Sequence, residues 1–373
     1  MKITHCTTKA DFDKAEDFLD NQTLPSPPVE LKFKFPKGFK YYSDQFSEEN
    51  DTWIFSSDNE TLAAGSLIYK NMTIEGQPQK IAMTSFMKIK PDAKATLLWA
   101  KHLLPKIHER LKEKNCDYIF SFVFQSERQK IRDFRQAVKL KDKMPRYFLI
   151  RKASFILIHG RLPWRSHALK SVTIRRALTF DIAEILNFLG PQQDLKKIKK
   201  VWTEVELKAL ILKGQNNKNR EQLYIGVDHN NKVVGMFLPQ EINEIRQDIM
   251  LSASPETFSY FQFQRLLSFI GLTNSPPRMK HPVSQLYISM IEATNPDVFE
   301  SLLRFVYKTL RQRYEIISYT HFSGNLISKP PSSFIVGSLP MDLYLILPQD
   351  KNPPEFLKSY WMAPTPDLES ITF

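Results

Sequence analysis

The chain of 373 residues is 42% hydrophobic and 25% charged, which excludes a disordered chain and allows two cores of ordinary domain size. Its two cysteines, Cys6 and Cys116, exclude a disulfide framework and point to a reducing compartment. A net charge of +12 attracts polyanions, whether RNA, a membrane surface or the phosphates of a small molecule.

The opening segment, MKITHCTTKADFDKAEDFLD, has no apolar run of signal-peptide length. No later stretch approaches the roughly 18 apolar residues of a membrane span. A cytoplasmic protein with no membrane partner is expected. Residues 2–7 read as a strand and 10–19 as a helix. Strands over 52–57 and 61–69 are joined by the turn cluster Asp58-Asn59-Glu60. After the turn Glu75-Gly76-Gln77-Pro78, residues 81–90 form a strand that Pro91-Asp92 ends. From Lys94 onward, Leu97, Ala100, Leu104, Ile107 and Leu111 recur at helical spacing, and Asn115 stops that helix. Residues 117–124 (DYIFSFVF) are an almost continuous apolar run, suited to a strand buried on both faces. Ser126 and Gln129 make a capping box for a further helix reaching about Lys139, and 147–158 closes the unit as a strand. Strand, helix and buried strand together make a right-handed crossover with parallel strands.

The second half repeats this order. Residues 172–176 are a strand, Phe180-Asp181 leads into a helix ending near Leu189-Gly190, and 223–227 with 232–238 form a hairpin. A strand over 285–291 runs into Thr294-Asn295-Pro296, a helix start with a cap and a proline in the first turn. Val298, Leu302, Phe305, Val306 and Leu310 give that helix its apolar stripe, and strands follow at 315–319 and 343–347. The difference is an insert near 241–281 with helical structure over 258–270, where Phe258, Tyr260, Phe261 and Phe263 read as core packing. The expected class is α/β, a mixed central sheet flanked by helices, in two tandem domains over 1–162 and 170–373. Arg161-Leu162-Pro163 breaks the pattern between them.

Several chemistries are excluded by their missing motifs: there is no G-x-G-x-x-G, P-loop, G-x-S-x-G elbow or C-x-x-C. His108-Glu109 opens like a zinc-protease helix, but Lys112 stands where the second histidine must be. No metal is expected. The polar residues after the second central strand pair, Tyr319, His321, Ser323 and Asn325, form the densest candidate group, and Glu292 ends the strand before it. A histidine or tyrosine at a strand end can move a proton, and a carboxylate can accept one from an amine.

Four stretches resemble the acyl-CoA-dependent N-acyltransferase (GNAT) superfamily: TWIFSSDNETLAAGSLIY and FMKIKPDAKATLLWAKHLLPKI in the first half, VTIRRALTFDIAEILNFLG and LYIGVDHNNKVVGMFL in the second. The resemblance covers most of the chain by order of elements, and it implies two GNAT-like units in tandem. It implies acetyl-CoA or another acyl-CoA as co-substrate, and an amine on a small molecule, protein or peptide as acceptor. It also implies that the central strands splay apart to form the thioester cleft. The following helix would receive the CoA pyrophosphate on its free N–H groups. Carried over to this chain, Met87, Ile89, Lys94, Ala95 and Thr96 would hold the cofactor in the first half, and Ser323 and Asn325 in the second. Glu292, Tyr319 and His321 would be catalytic. The family's phosphate loop reads R/Q-x-x-G-x-G/A. Here Leu97 and Trp99 replace the glycines, and the second half places Asp297 in its loop. Phe134 stands where the family has its tyrosine acid. Two other readings stay open: a transferase using aminoacyl-tRNA, which the charge suits, and a non-catalytic pair serving as a scaffold.

Overall fold

The computed structural model describes residues 1–26, 29–47, 49–58, 60–90, 93–125, 145–165, 167, 169, 171–216, 222–348, 351–359 and 366–368. The helix expected from Ser126, and Phe134 within it, lie outside the described residues. The first half runs β1 (Lys2–His5), α1 (Lys9–Asp20), β2 (Thr23–Ser26), β3 (Val29–Lys34), α2 (Phe39–Phe46), β4 (Asn50–Ser57), β5 (Glu60–Ile74) and β6 (Gln77–Ile89). It continues with α3 (Ala93–Leu98), a π turn (Trp99–Leu103), α4 (Leu104–Glu113), β7 (Cys116–Phe124) and β8 (Arg146–Arg161). The second half runs β9 (Thr173–Arg176), α5 (Ile182–Asp194), β10 (Ile198–Lys199), α6 (Glu204–Asn216), β11 (Tyr224–Val227) and β12 (Val233–Glu241). Then come β13 (Gln247–Ala253), α7 (Pro255–Phe269), β14 (Gln285–Ala293), α8 (Pro296–Leu310), β15 (Ile316–Phe322), β16 (Phe334–Leu347) and α9 (Phe356–Ser359).

The repeated order closes into one sheet. Its strands follow β1-β4-β5-β6-β7-β16-β8-β15-β14-β12-β11-β9, a sequence that reads the same from both ends once each strand is matched to its counterpart. The final strands of the halves are exchanged. β8 pairs with β15 from Ile317↔Ile158 to Phe322↔Ala153, and β16 pairs with β7 from Met341↔Phe124 to Ile346↔Ile119. β8 and β16 also pair with each other along their length, so a pseudo-dyad passes between them. No edge separates 1–162 from 170–373 within the sheet. Two further pairings bind the halves reciprocally: β10 to the tip of β5 (Ile198↔Ile74), and β13 to β3 (Met250↔Leu31).

Local chemistry explains the helices. Thr8 caps α1 by accepting the Asp11 N–H while the Asp11 carboxylate accepts the Thr8 N–H, and Phe12, Ala15 and Leu19 form the buried stripe. α1 and α2 cover one face of the first-half sheet, on Ile54, Ala64 and Phe86. α3 and α4 cover the other, on Trp53, Phe55 and Ala63. The second half repeats this, with α5 and α6 on Met236 and Leu238, and α8 on Phe237 and Leu286. Buried Asp51 ties β1, β4, β5 and α4 together, accepting from Tyr69 Oη at 2.8 Å and Arg110 Nε at 2.9 Å, with His5 Nε2 at 2.8 Å. Burial alone would raise its pKa, but Arg110 and Tyr69 outweigh that and hold it below the usual carboxylate value. The insert corrects one expectation: Phe261 is buried, but Phe258 and Phe263 are 50% and 56% exposed, because α7 packs only one face inward.

Candidate active site

Both central strand pairs are parallel, and both come apart. β6 and β7 pair from Lys80↔Cys116 to Met83↔Phe120 and no further, although β6 continues to Ile89 and β7 to Phe124. Just beyond the last pair, Thr84 Oγ1 donates to Ser121 Oγ at 2.7 Å across the opening. β14 and β15 stop pairing at Tyr287↔Ser318. In each half a bulge bends the strand beyond its last pair, at Phe86 (φ 48°) and Met290 (φ 49°). Gly65 faces the first bulge so closely that a Cβ on it would come within 2.6 Å of the Met87 Cα.

Of the helices after these strands, the second has its N-terminal cap among the described residues. Asn295 caps α8, its side-chain oxygen accepting the N–H groups of Asp297 and Val298 at 3.0 Å each. The donors that a phosphate would need are therefore already taken. In the first half, α3 runs through the π turn into α4 as one continuous helix. Of its first residues Lys94 is exposed, whereas Ala95 and Thr96 are buried at 0% and 1%. Met87 and Ile89 are partly buried and pack against the core under that helix.

The polar residues after β15 converge on one serine. Tyr319 Oη donates to the Ser328 carbonyl at 3.2 Å, His321 Nδ1 lies 3.0 Å from Ser328 Oγ, and Asn325 Oδ1 accepts the Ser328 N–H at 3.2 Å. Tyr319 is fully buried against Phe299, and burial raises its pKa far above the ordinary phenol value. Burial lowers the pKa of His321, with Ser328 opposing and Lys329 adding. Ser323 is exposed, and its carbonyl accepts from Arg151 Nε at 3.0 Å. Glu292 is not part of this group. It pairs with Lys196, which also pairs with Asp367 near the C-terminal end of the described chain. Burial works against the Lys196 ammonium, but Asp367 and Glu292 outweigh it and keep the lysine charged. Burial pushes Glu292 up and Asp367 adds to this, while Lys196 opposes.

A cavity of about 500 Å³ opens where the halves clasp each other. Its floor is the main sheet around the β8–β16 pair, and its roof is β3, β13 and α7. Phe124, the last residue of β7, is among its lining residues, so the cavity adjoins the splayed end of the first-half strands. Its volume falls within the range of about 300–1,000 Å³ usual for small-molecule sites. Arg246 lies in its wall, paired with Asp248 at 2.7 Å and stacked near Phe33 and the bulge residue Phe86. Among the described residues no group of three His, Cys, Asp or Glu is placed to hold a metal ion. No helix among them is long and apolar enough to cross a membrane.

No protein-family model and no curated protein matches the sequence. Solved structures do match the fold. Saccharomyces cerevisiae N-myristoyltransferase with bound myristoyl-CoA and inhibitors superposes with a TM-score of 0.53 at 10% identity, over 92% of this chain and 80% of that one. A structure of the same yeast enzyme with bound myristoyl-CoA gives 0.53 at 9% identity, over 93% and 79%. A further one gives 0.50 at 10%, over 92% and 82%. The chain has the GNAT fold, built twice. The match runs through both copies, in agreement with the palindromic sheet and its two splayed pairs.

Within this GNAT fold, sequence reasoning missed the cavity and its polar residues Arg246, Asp248 and His159. Arg246 and Asp248 flank the start of β13, a strand inside a segment read as a helical insert. An Arg-x-Asp pair between apolar runs was the available signal, since a charged pair there has to be satisfied within the fold. Lys196 was also missed, because it opens a basic cluster that reads as solvated surface.

Proposed function

We propose that the protein transfers an acyl group from an acyl-CoA to an amine, with the donor held in the first half. The observation that carries this is the opening between β6 and β7 beyond Met83↔Phe120. Acyl-CoA would lie with its thioester in that opening. Met87, Ile89 and the start of α3 would line its path, and Lys94 would meet its phosphates. A bulge leaves its extra residue out of the ladder, so a backbone N–H near Met87 would donate to the thioester carbonyl. An amine attacking a thioester needs positioning, loss of a proton and N–H donors on the developing oxyanion. The cavity beyond Phe124 would hold the apolar part of the substrate.

In this reading the second half supports the first. Its helix N-terminus is capped by Asn295, Tyr319 is in the core, and Glu292 is tied to Lys196. Its contribution to the site is β13 and α7, which roof the cavity. The experiment is incubation of the purified protein with acyl-CoAs from acetyl to myristoyl and a panel of amines. Free thiol release and product mass are then measured. Release of CoA with an acylated amine of the expected mass supports the proposal. No turnover and no acyl-CoA binding across the series would sink it.

A further inference from the structure

The cavity wall holds His159, a buried imidazole that no hydrogen bond among the described residues engages. The β7 end is level with Ala153 of β8 through Met341. From Phe155, two residues further on, β8 runs about 13 Å to His159 at roughly 3.3 Å per residue, and both Phe155 and His159 line the cavity. Between them the wall is apolar, with Leu157, Leu339 and Met250. His159 is 5% exposed, and no hydrogen-bond partner among the described residues reaches its Nδ1. Its ring contact is Tyr260, edge-on at 5.7 Å. Across the strand pair stands Gly337, where a Cβ would come within 2.8 Å of His159 Nε2. The absent side chain keeps Nε2 uncovered towards the cavity. Burial drops the imidazole pKa to about 4, so the ring stays neutral near pH 7.

The pseudo-dyad shows what this sheet surface accommodates. In the related position, on Ile150, Leu343 and Leu345, the chain places its own Phe356 and Leu368. One copy of the surface is therefore covered by apolar groups of the protein itself, and the other is left as a cavity ending at an imidazole. Among the described residues the charges on the lining are Arg246, already paired with Asp248, and Glu256. With one cation against two carboxylates, an anionic occupant would be opposed.

We propose that the cavity takes an aliphatic chain ended by an uncharged hydrogen-bonding group such as a hydroxyl, and that His159 Nε2 reads that terminus. His159 is thus a specificity-determining residue at the end of the substrate remote from the transfer point; only the placing of the near end at β7 rests on the acyl-transfer reading. The test compares calorimetric binding of n-decylamine and its ω-hydroxy derivative, without CoA. The hydroxylated amine should bind about three- to tenfold more tightly, the value of one net hydrogen bond. His159→Phe should reverse the order. Gly337→Ala, whose methyl covers Nε2, should remove the preference, with thermal melts confirming that both variants fold. Equal affinities in the unmodified protein, a preference unchanged in both variants, or no binding of either amine would overturn the proposal. Failure of acyl-CoA to bind in a separate titration would count against the transfer reading and leave this one standing.

Discussion

Phe86 in β6 and Met290 in β14 hold the same left-handed backbone, at φ of 48° and 49°, each three residues beyond the last pair with the parallel neighbour. Neither residue is a glycine, so both conformations are held against local preference by the surrounding sheet. The doubling of the unit extends to this detail, and the bulge is what opens each cleft.

Gly65 supports the first of these bulges. Gly65→Ala would put a methyl against the Met87 backbone at 2.6 Å, where no flexible side chain can give way. A loss of about 1–3 kcal/mol in unfolding free energy is expected, with a fall in acyl-CoA affinity at temperatures where the variant remains folded. Chemical denaturation together with calorimetry checks both.

Lys94 and Asn295 should separate the halves. Lys94→Ala is expected to weaken acyl-CoA binding about fivefold, since one cation at a helix N-terminus is lost. Asn295→Ala is expected to leave that affinity unchanged and to cost about 1 kcal/mol of stability, the usual effect of losing a cap. The opposite assignment of effects would place the donor in the second half.

Among the described residues, Lys196 is the cation that pairs with both Glu292 and Asp367. Lys196→Met should destabilise by about 3 kcal/mol at neutral pH, because two carboxylates are left facing each other in a partly buried site. Glu292 already has a raised pKa in the folded state. Stability from such a group is present below its unfolded pKa and is lost as pH rises through the folded one. Without Lys196 the folded pKa rises further, so the variant should regain stability as pH falls towards 5. Denaturation midpoints across pH show whether it does.

His159 predicts the reverse slope. Its pKa falls from 6.5 to about 4 on folding, so its contribution is complete above 6.5 and is lost as pH drops towards 4. At 1.36 kcal/mol per pH unit the full loss is about 3 kcal/mol. In His159→Phe that part of the acid dependence should vanish, which parallel pH titrations of stability would reveal.

The order of elements is legible in the sequence because turn clusters such as Asp58-Asn59-Glu60 separate runs of clear periodicity. The cap at Asn295 is also legible from Thr294-Asn295-Pro296. Its consequence is not, since occupancy of the Asp297 and Val298 N–H groups appears only in the geometry. Strand exchange is invisible because β8 and β16 are apolar runs that do not specify their neighbours. Phe86 carries no glycine signal for its bulge. Lys196 reads as one of several surface lysines until Glu292 and Asp367, far away in the chain, are brought to it. The cavity depends on β3 and β13 meeting, a pairing between residues from different halves. Of the expected site, Met87, Ile89 and Lys94 lie beside the first opening, while Tyr319, His321 and Asn325 gather on Ser328.

The stoichiometry of acyl-CoA binding tests the central claim most directly. Isothermal titration of the unmodified protein with myristoyl-CoA and acetyl-CoA should give one site per chain, because the first cleft is open and Asn295 closes the helix start of the second. Two sites per chain, or no heat with either thioester, would contradict the account.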